Sequence, residues 1–461
     1  MVLIKTHLNT ANTLRSRFGL PQNETWTTRA NAVNVPTDPS ADIILEYEAM
    51  NGSILVKQAD VVLVDDLLDY PNPYTLSDLD YYASRQSLNG PGMTYGVFSI
   101  ISNEISLSGC SSYTYDLYSS QPYARAPWFQ YSEQLVDDFI LNGGTNPAYP
   151  FLTGMGGANR VGVFGYLGLR LMLDSLNVDP SLPPQITNLN YRTFYWQGIA
   201  INAVSNQSHT TISRSGSYLS TANSTFIKGS IPVTLGINAT SVGSLGPTDK
   251  ITITNRLNGF NKTIPGNIAQ CLPVTSPQDF EPGQFPIAAV DGAISTKWQP
   301  VAANVTSWIQ IVIGSKSYPV TGFYFDWAQA PPSYYSVVFS NDTNFDYNKV
   351  TNASSSSNIT ISNPYNATAA NSAAIVAYSS NSTSVTLKSP VWSGEYARLY
   401  ILGNQADPSA GAAGATVAEF AILTSSGTTS TSPGTRKAKK RSTLGAGRLG
   451  LPNRPWEKRD S

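Results

Sequence analysis

A single carboxylate set among aromatic and amide side chains is the feature of this sequence best suited to chemistry. Glu133 stands in the run PWFQYSEQ, and the polar run NGGTNPAYPFLTG follows from position 142. Aromatic rings stack on sugars, amides bond hydroxyl groups, and one carboxylate activates water in glycosidases. The pattern therefore indicates a candidate general base at Glu133. A Glu near a helix start more often serves the helix dipole, so on chemistry alone both interpretations stay open.

A second polar cluster directly precedes an apolar run. Lys57, Gln58 and Asp60 come just before the residues VVLV. At the start of a helix they would present a cation, an amide and a carboxylate at one rim. An ordinary polar helix start explains the same residues, so the cluster alone does not decide between a binding site and a helix end.

No metal or cofactor motif is present. The two histidines, His7 and His209, lack the spacing of metal ligands, and no glycine-rich phosphate loop stands between a strand and a helix. Cys110 and Cys271 could pair in an oxidising compartment or stay apart as small buried hydrophobes. We therefore expect no cofactor and no metal, and the cysteine pairing stays open.

The elements that must position these residues change in character along the chain. Apolar spacing predicts helices over 3–18, 76–87, 132–141 and 160–176, within a helical stretch that covers residues 1–175. After residue 180, short runs of β-branched residues with a period of two predict strands. Beyond residue 425, Gly, Ser, Thr and Pro followed by bases predict a disordered tail.

The charge distribution argues against a nucleic-acid groove. Nine of the 29 Lys and Arg residues lie between Arg436 and Arg459, in the predicted tail. Without that tail the chain holds 20 basic against 28 acidic residues. The body is therefore acidic, and no nucleic-acid partner is expected.

Glycosylation sequons indicate the secretory pathway. Their density favours a secreted, cell-wall or vacuolar protein. Residues 1–20 contain no apolar core of a signal peptide, so we expect that the chain has lost its front end. No apolar run is long enough to span a membrane, and no span is expected. The twelve sequons are Asn23, Asn51, Asn206, Asn223, Asn238, Asn261, Asn304, Asn341, Asn352, Asn358, Asn366 and Asn381.

Four runs, taken in order, resemble the acid trehalases of glycoside hydrolase family 65. They are VKQADVVLV, DLDYYASRQSLNGPGMTY, FQYSEQLVDDF and NGGTNPAYPFLTGMGGANRVGVFGYLGLRL, and they cover much of residues 40–175. The resemblance implies an (α/α)6 catalytic barrel followed by a small β-sandwich. It also implies inversion of the anomeric centre by a general acid and a general base. Relatives in the family are phosphorylases, in which phosphate replaces the base and its water.

The resemblance assigns roles to individual residues. Glu133 matches the general base that activates water, and Lys57 and Gln58 match contacts to the sugar in the cleaved subsite. The family's general acid lies in an Asp-Glu-Tyr/Phe segment upstream, which this sequence lacks. We therefore expect a chain that starts inside the barrel, is inactive alone and is poorly folded in residues 1–175. Met155 stands where the family has His, which matters if that His contacts substrate and little if it only packs.

A second resemblance concerns residues 277–425. The letters AVDG from position 289 and STKW from position 295 are similar to the A-x-D-G-x-x-x-T-x-W segment of discoidin, or coagulation-factor type C, domains. Such domains are β-sandwiches that bind glycans or other ligands through loops at one end. Asp291, Trp298 and Trp308 are expected to build the core and a turn more than to contact ligand.

One aromatic group in this part of the chain is a candidate sugar-binding platform. Trp327, Tyr334 and Tyr335 lie beside two consecutive prolines. If their rings are exposed, they could stack on a sugar. Burial in the core is the alternative.

These observations predict a multidomain chain. Residues 1–179 form the C-terminal portion of an (α/α)6 barrel, 180–269 the small β-sandwich, 277–425 a discoidin-like β-sandwich, and 426–461 a disordered basic tail. The preferred function is an inverting α,α-trehalase acting on trehalose or a related glucoside, with water activated by Glu133. The alternatives are a non-catalytic fragment that binds carbohydrate such as a cell-wall glycan, and a phosphorylase of the same family.

Overall fold

The N-terminal part of the protein is helical. The computed structural model describes residues 1–106, 108–256, 261–359, 374–409 and 411–425, so the predicted tail 426–461 lies outside the described residues. We call residues 2–166 the helical region. Its helices are α1 (Val2–Arg17), α2 (Glu24–Ala32), α3 (Asp60–Leu67), α4 (Thr75–Arg85), α5 (Tyr95–Ile105), α6 (Ser111–Ser120) and α7 (Leu152–Arg160), which continues as π-helical turns over Val161–Tyr166. Two short strand pairs interrupt it, β1 (Thr37–Asp38) with β2 (Ile43–Ile44) and β3 (Ala124–Arg125) with β4 (Gln130–Tyr131).

Helix α5 lies at the centre of the helical region. Ten of its eleven residues are buried, and it packs against α3, α4, α6 and α7. Two of its buried polar side chains are bonded to neighbouring backbone: Ser99 donates to the carbonyl oxygen of Ser112 over 2.6 Å, and Asn103 to that of Gly165 over 2.9 Å. Because these groups are satisfied, α5 can be polar in places and still form the core.

The predicted helix over residues 132–141 is wrong, whereas those over 3–18 and 76–87 are confirmed by α1 and α4. Residues 132–141 are irregular because carboxylates take the local hydrogen bonds. Ser132 Oγ donates to Asp137 Oδ1 over 2.5 Å, and Asp138 Oδ1 accepts from the amides of Ile140 and Leu141 at 2.8 and 3.1 Å. Such bonds offer the backbone an alternative to the helical ladder.

The predicted helix over residues 160–176 is shifted towards the N-terminus. Helix α7 begins at Leu152, and its π-helical continuation ends at Tyr166. Gly168 then adopts a φ of +63°, and a Cβ there would lie 2.4 Å from the carbonyl oxygen of Asp179. The chain leaves the helix at this glycine because it must pass close to the Asp179 backbone.

Two sheets follow, as the period-two pattern predicts. We call residues 176–254 the middle β region. Its core contains Trp196, Ile201, Ile212 and Val233. One sheet has the order β11-β8-β7-β6 and the other the order β10-β9-β5. The elements are β5 (Leu176–Val178), β6 (Asn188–Trp196), β7 (Ile199–Asn206), β8 (His209–Tyr218), α8 (Ser224–Lys228), β9 (Ile231–Leu235), β10 (Thr240–Leu245) and β11 (Lys250–Thr254).

Two further sheets form the last described part of the chain. We call residues 274–424 the C-terminal β region. A five-stranded sheet has the order β12-β13-β18-β15-β16, and a three-stranded sheet has the order β17-β14-β19. The strands are β12 (Val274–Thr275), β13 (Ser307–Val312), β14 (Pro319–Ala328), β15 (Tyr334–Ser340), β16 (Val350–Ser356), β17 (Asn381–Trp392), β18 (Tyr396–Leu402) and β19 (Glu419–Thr424).

Aromatic side chains fill the core of the C-terminal β region. Phe325 stacks on Trp327 with ring centroids 4.7 Å apart and on Phe420 at 5.4 Å. Trp298 is fully buried in the same cluster. Stacked rings of this size dominate the energetics of a core, so the region has its own centre of stability.

Hydrogen bonds join the helical region to the C-terminal β region, and a disulfide ties it to the chain just before that region begins. Cys110, next to α6, forms a disulfide with Cys271. The hydroxyl of Ser108 donates to the carbonyl oxygen of Asp291 over 2.8 Å, and Thr114 Oγ1 donates to its carboxylate over 2.6 Å. The question that the sequence left open is thereby answered in favour of pairing.

Replacing Trp298 with Ala should lower the free energy of unfolding by about 3–5 kcal/mol, because a fully buried indole leaves a large cavity. The matched control is Trp392→Ala, since Trp392 is 64% exposed. That control should change the free energy by less than about 0.5 kcal/mol. Urea unfolding followed by circular dichroism measures both, and equal losses in the two variants would contradict the assigned core.

Candidate active site

The loop that joins α4 to α5, residues 86–94, is the meeting point of the candidate site. The amide of Val56 donates to the carbonyl oxygen of Arg85 over 2.9 Å, and that of Ser87 to Val56 over 2.8 Å. A Cβ on Gly90 would lie 2.0 Å from the carbonyl oxygen of Lys57. The α4–α5 loop therefore contacts the segment that carries Lys57, backbone against backbone.

Glu133 contacts the same loop. Its carbonyl oxygen accepts from the amide of Gly92 over 2.7 Å, and the side-chain amide of Gln134 donates to the carbonyl oxygen of Asn89 over 2.6 Å. The structure thus brings the two predicted site segments, around Lys57 and around Glu133, to one loop.

A reciprocal pair of hydrogen bonds fixes the Glu133 carboxylate. The Glu133 amide donates to the carbonyl oxygen of Ala148 over 3.0 Å, and the Ala148 amide donates to Glu133 Oε2 over 2.8 Å. The side chain is half-buried. An amide bonded to a carboxylate is a strong, charge-assisted contact, so the carboxylate is held in one orientation while part of it stays accessible.

Arg125 clamps the segment that follows Glu133. Its guanidinium pairs with Asp137 over 2.6 Å and also donates to the carbonyl oxygens of Gln134 and Leu135 at 2.8 and 3.0 Å. Hydrogen bonding from Arg125 holds the pKa of Asp137 below its usual value. The single guanidinium of Arg125 therefore holds together the irregular segment for which the sequence predicted a helix.

The aromatic residues before Glu133 divide into two groups. Trp128 is 81% exposed and Phe129 is 71% exposed. Tyr131 is buried and stacks on Tyr123 with ring centroids 5.9 Å apart. The first two rings are accessible to a ligand, whereas Tyr131 belongs to the core.

The second predicted cluster lies at the start of α3, which begins at Asp60 as the sequence indicates. Lys57 is exposed and Gln58 is half-buried. The Gln58 amide donates to Asp60 Oδ1 over 3.0 Å, which orients the side chains of this turn. A cation and an amide are therefore presented at the edge of the α4–α5 loop.

Glu46 is a titratable residue of this turn that sequence reasoning missed. Its carboxyl group faces the start of α3, near Asp60 and Val61, and its Oε1 is buried. Burial, with repulsion from Asp60, raises the pKa of Glu46 to about 7. The sequence places Glu46 in the run EYE, upstream of KQAD. That run does not show which of its two glutamates is buried, and Glu48 is exposed.

The start of α7 closes another side of the site. A Cβ on Gly154 would lie 2.8 Å from the carbonyl oxygen of Gly92 and 2.9 Å from the ring of Tyr131, so only glycine fits there. Met155, which stands at the His position of the family pattern, is 41% exposed. It does not fill a gap in the core.

The predictions for residues of the C-terminal β region are confirmed in part. Asp291 and Trp298 are fully buried, in agreement with a structural role. The platform of Trp327, Tyr334 and Tyr335 is wrong, because Trp327 and Tyr335 are buried in the core and only Tyr334 reaches the surface. Consecutive strand residues point to opposite faces, so the three rings cannot form one surface.

Trp308 has a partner of its own in the C-terminal β region. It is half-buried under Arg398, whose guanidinium lies 3.8 Å from the ring centroid. The same guanidinium lies 3.9 Å from the ring centroid of Phe345. This arrangement is a cation–π stack on the sheet surface, so the expectation that Trp308 builds the core holds only in part.

Within the described ranges, no group of three or more His, Cys, Asp and Glu side chains is arranged to hold a metal ion. Among the same residues, no helix combines the length and apolarity needed to cross a membrane.

Comparison with known families identifies the C-terminal β region. Residues 273–412 match the model of the F5/8 type C domain. The match confirms the discoidin-like resemblance read from the AVDG and STKW letters.

Fungal acid trehalases are similar to almost the whole chain. It is 48% identical to the cell wall acid trehalase of Arthroderma benhamiae, over 92% of this chain and 43% of that protein. It is 48% identical to the acid trehalase of Emericella nidulans, over 92% of this chain and 42% of that protein. The chain thus spans about two-fifths of the length of these relatives.

One solved structure that is similar in part is chitosan-binding module 2 of a chitosanase/glucanase from Paenibacillus sp. IK-5. The identity is 19% and the TM-score 0.26, with 34% of this chain and 99% of that chain covered.

Replacing Glu46 with Gln should stabilise the protein at pH 8 and leave it unchanged at pH 4. The raised pKa means that the folded state holds the proton more tightly than the unfolded state. The stability that neutral Glu46 contributes is therefore complete below about pH 4.5 and is lost as the pH rises through about 7. The gain at pH 8 should be on the order of 1 kcal/mol after allowance for solvent screening.

Thermal unfolding of the parent and the variant across this pH range measures the effect. Glu48→Gln, at the exposed neighbour, is the control. A constant difference between parent and E46Q from pH 4 to pH 8 would contradict the raised pKa.

Proposed function

Starting from the homology of this chain to the fungal acid trehalases, we propose that it is the portion of such an enzyme that carries the general base. The reaction is hydrolysis of α,α-trehalose to two molecules of glucose, with inversion at one anomeric carbon. The observation that carries the proposal is the Glu133 carboxylate, which the Ala148 amide holds over 2.8 Å. The exposed rings of Trp128 and Phe129 come shortly before it in the same segment.

The proposed step uses both oxygens of the Glu133 carboxylate. The Ala148 amide engages Oε2, and the other oxygen takes a proton from a water molecule. The water oxygen bonds to the anomeric carbon as the glycosidic C–O bond breaks. The departing oxygen receives a proton from a general acid. Removing such proton transfer typically costs 10²–10⁴ in rate.

Lys57 and Gln58 are the proposed contacts to the sugar in the cleaved subsite. Support comes from their position: the Lys57 carbonyl packs on Gly90 of the α4–α5 loop, and the Glu133 carbonyl is bonded to Gly92 of the same loop. A sugar bound next to Glu133 would therefore lie near the Lys57 ammonium and the Gln58 amide, both of which hydrogen-bond hydroxyl groups.

The fold proposals follow the same homology. We assign residues 1–179 to the C-terminal portion of an (α/α)6 barrel, 180–269 to the small β-sandwich of the hydrolase, and 277–425 to a discoidin-like β-sandwich. Because relatives are named as cell wall enzymes, we place the protein in the secreted or cell-wall fraction.

A non-catalytic carbohydrate-binding fragment is the second candidate. The F5/8 type C match over residues 273–412 favours it. A cell-wall glycan would then be the ligand of the C-terminal β region. The phosphorylase alternative has less support, because phosphate would make a base at Glu133 unnecessary.

The experiment is a chimera in which this chain replaces the matching part of the Arthroderma benhamiae protein. The chimera should hydrolyse trehalose, and Glu133→Gln should lower kcat by about 10²–10⁴ because no base then activates water. Release of glucose, measured enzymatically with and without phosphate, is the readout.

Three controls sharpen the result. Glu48→Gln should keep the parental rate, the unfused 461-residue chain should release no glucose from trehalose, and added phosphate should yield no glucose 1-phosphate. A rate for E133Q within tenfold of the parent would reject Glu133 as the base. An inactive chimera whose chain still binds glycan would favour the second candidate.

A further inference from the structure

Four buried tyrosines form a continuous column through the helical region. The ring centroids of Tyr118 and Tyr95 lie 3.7 Å apart with nearly parallel planes, those of Tyr95 and Tyr123 lie 6.3 Å apart, and those of Tyr123 and Tyr131 lie 5.9 Å apart. All four are at least nine-tenths buried. We call this group the tyrosine column. It runs from α6, past the start of α5, to the strand that precedes Glu133.

One end of the tyrosine column rests on the C-terminal β region. The ring of Phe285 meets that of Tyr118 edge to face, with centroids 6.5 Å apart. Gly283 approaches so closely that a Cβ there would lie 2.1 Å from the Tyr118 ring. The Gln284 side chain also donates to the Tyr118 hydroxyl at 3.5 Å.

The other end of the tyrosine column contacts the segment of the proposed base in two places. The amide of Ser132 donates to the carbonyl oxygen of Tyr123 over 2.9 Å. The Tyr123 ring also packs on Gly92, where a Cβ would lie 2.4 Å from it. Gly92 in turn donates its amide to the carbonyl oxygen of Glu133 over 2.7 Å.

Covalent and polar contacts hold the first end in place. The disulfide between Cys110 and Cys271 ties the start of α6 to the chain that enters the C-terminal β region. Thr114 on α6 donates to the buried carboxylate of Asp291 over 2.6 Å. The contact between Tyr118 and Gly283 is therefore made between α6 and a segment that the disulfide and the Asp291 bond hold against it.

We propose that the C-terminal β region positions Glu133 through the tyrosine column, with Gly283 and Tyr118 as positioning residues. Close-packed rings cannot shift singly, so a displacement at Gly283 is passed to Tyr131 and Gly92, which hold the Glu133 segment. The region then acts as part of the hydrolytic scaffold and is not only a tethered binding module. The link to catalysis rests on the proposed role of Glu133.

The tyrosine column acts by packing and not by proton transfer. Burial raises the pKa of Tyr95, Tyr118 and Tyr123 above the usual value for a phenol. The rings are therefore neutral at pH 7, well below the usual phenol pKa of about 10. Removal of one hydroxyl should matter less than removal of a ring.

The test is hydrogen exchange at the Ala148 amide in the full 461-residue chain, because this amide bonds Glu133 Oε2. Gly283→Ala should speed that exchange about tenfold, since the methyl group displaces Tyr118. Gly314→Ala is the matched control: Gly314 also has a positive φ, +94° against +81°, and a Cβ there meets no atom within 4 Å. It should leave the exchange unchanged.

A second pair of variants keeps the test decisive if G283A does not fold. Tyr118→Leu removes the ring and should speed exchange at Ala148, whereas Tyr118→Phe keeps the stack and should not. Peptides from β13 and β18 report whether the C-terminal β region stays folded. Unchanged exchange at Ala148 in folded G283A or Y118L would overturn the proposal.

Kinetics in the Arthroderma chimera separate positioning from plain destabilisation. G283A should lower kcat about 10- to 100-fold with little change in KM, because a small misplacement of a catalytic group costs this much. A kcat equal to that of G314A would overturn the proposal. Faster exchange at Ala148 in a chimera that lacks Glu133-dependent activity would instead reject only the role of Glu133.

Discussion

Backbone segments approach so closely around the α4–α5 loop that only glycine fits, and the candidate active site depends on this closeness. A Cβ on Gly90 would lie 2.0 Å from the Lys57 carbonyl oxygen, and one on Gly154 would lie 2.8 Å from that of Gly92. Any side chain would force the segments apart. The glycines thus allow three segments from distant parts of the chain to contact one loop, and these segments carry the exposed polar and aromatic groups.

The site combines fixed backbone with accessible side chains. Arg125 and the Ala148 amide hold the Glu133 segment, while Trp128 and Phe129, shortly before it in sequence, remain exposed. This division suits a hydrolase, because a base must be oriented to within a fraction of an ångström while substrate still has access. The tyrosine column joins this segment to the C-terminal β region, which packs on the far end of the column at Tyr118.

Local sequence patterns predicted many elements of the fold but little of the geometry of the site. The strands of the C-terminal β region and the start of α3 follow from apolar spacing. The helix over 132–141 failed because Asp137 and Asp138 bond nearby backbone and side chains, which spacing does not reveal. Exposure of Trp327 failed because strand register decides which face a ring takes. The Gly92 amide bond to Glu133 joins segments far apart in sequence, and no single-sequence pattern encodes it.

The central claim is that a water molecule activated by Glu133 attacks the anomeric carbon directly. Proton NMR of the first glucose released from trehalose by the Arthroderma chimera tests it, provided that it is read before mutarotation. Inversion gives one β-glucose for each α-glucose, because only the attacked ring changes configuration. Release of α-glucose alone would mean retention through a covalent intermediate, and would contradict the account.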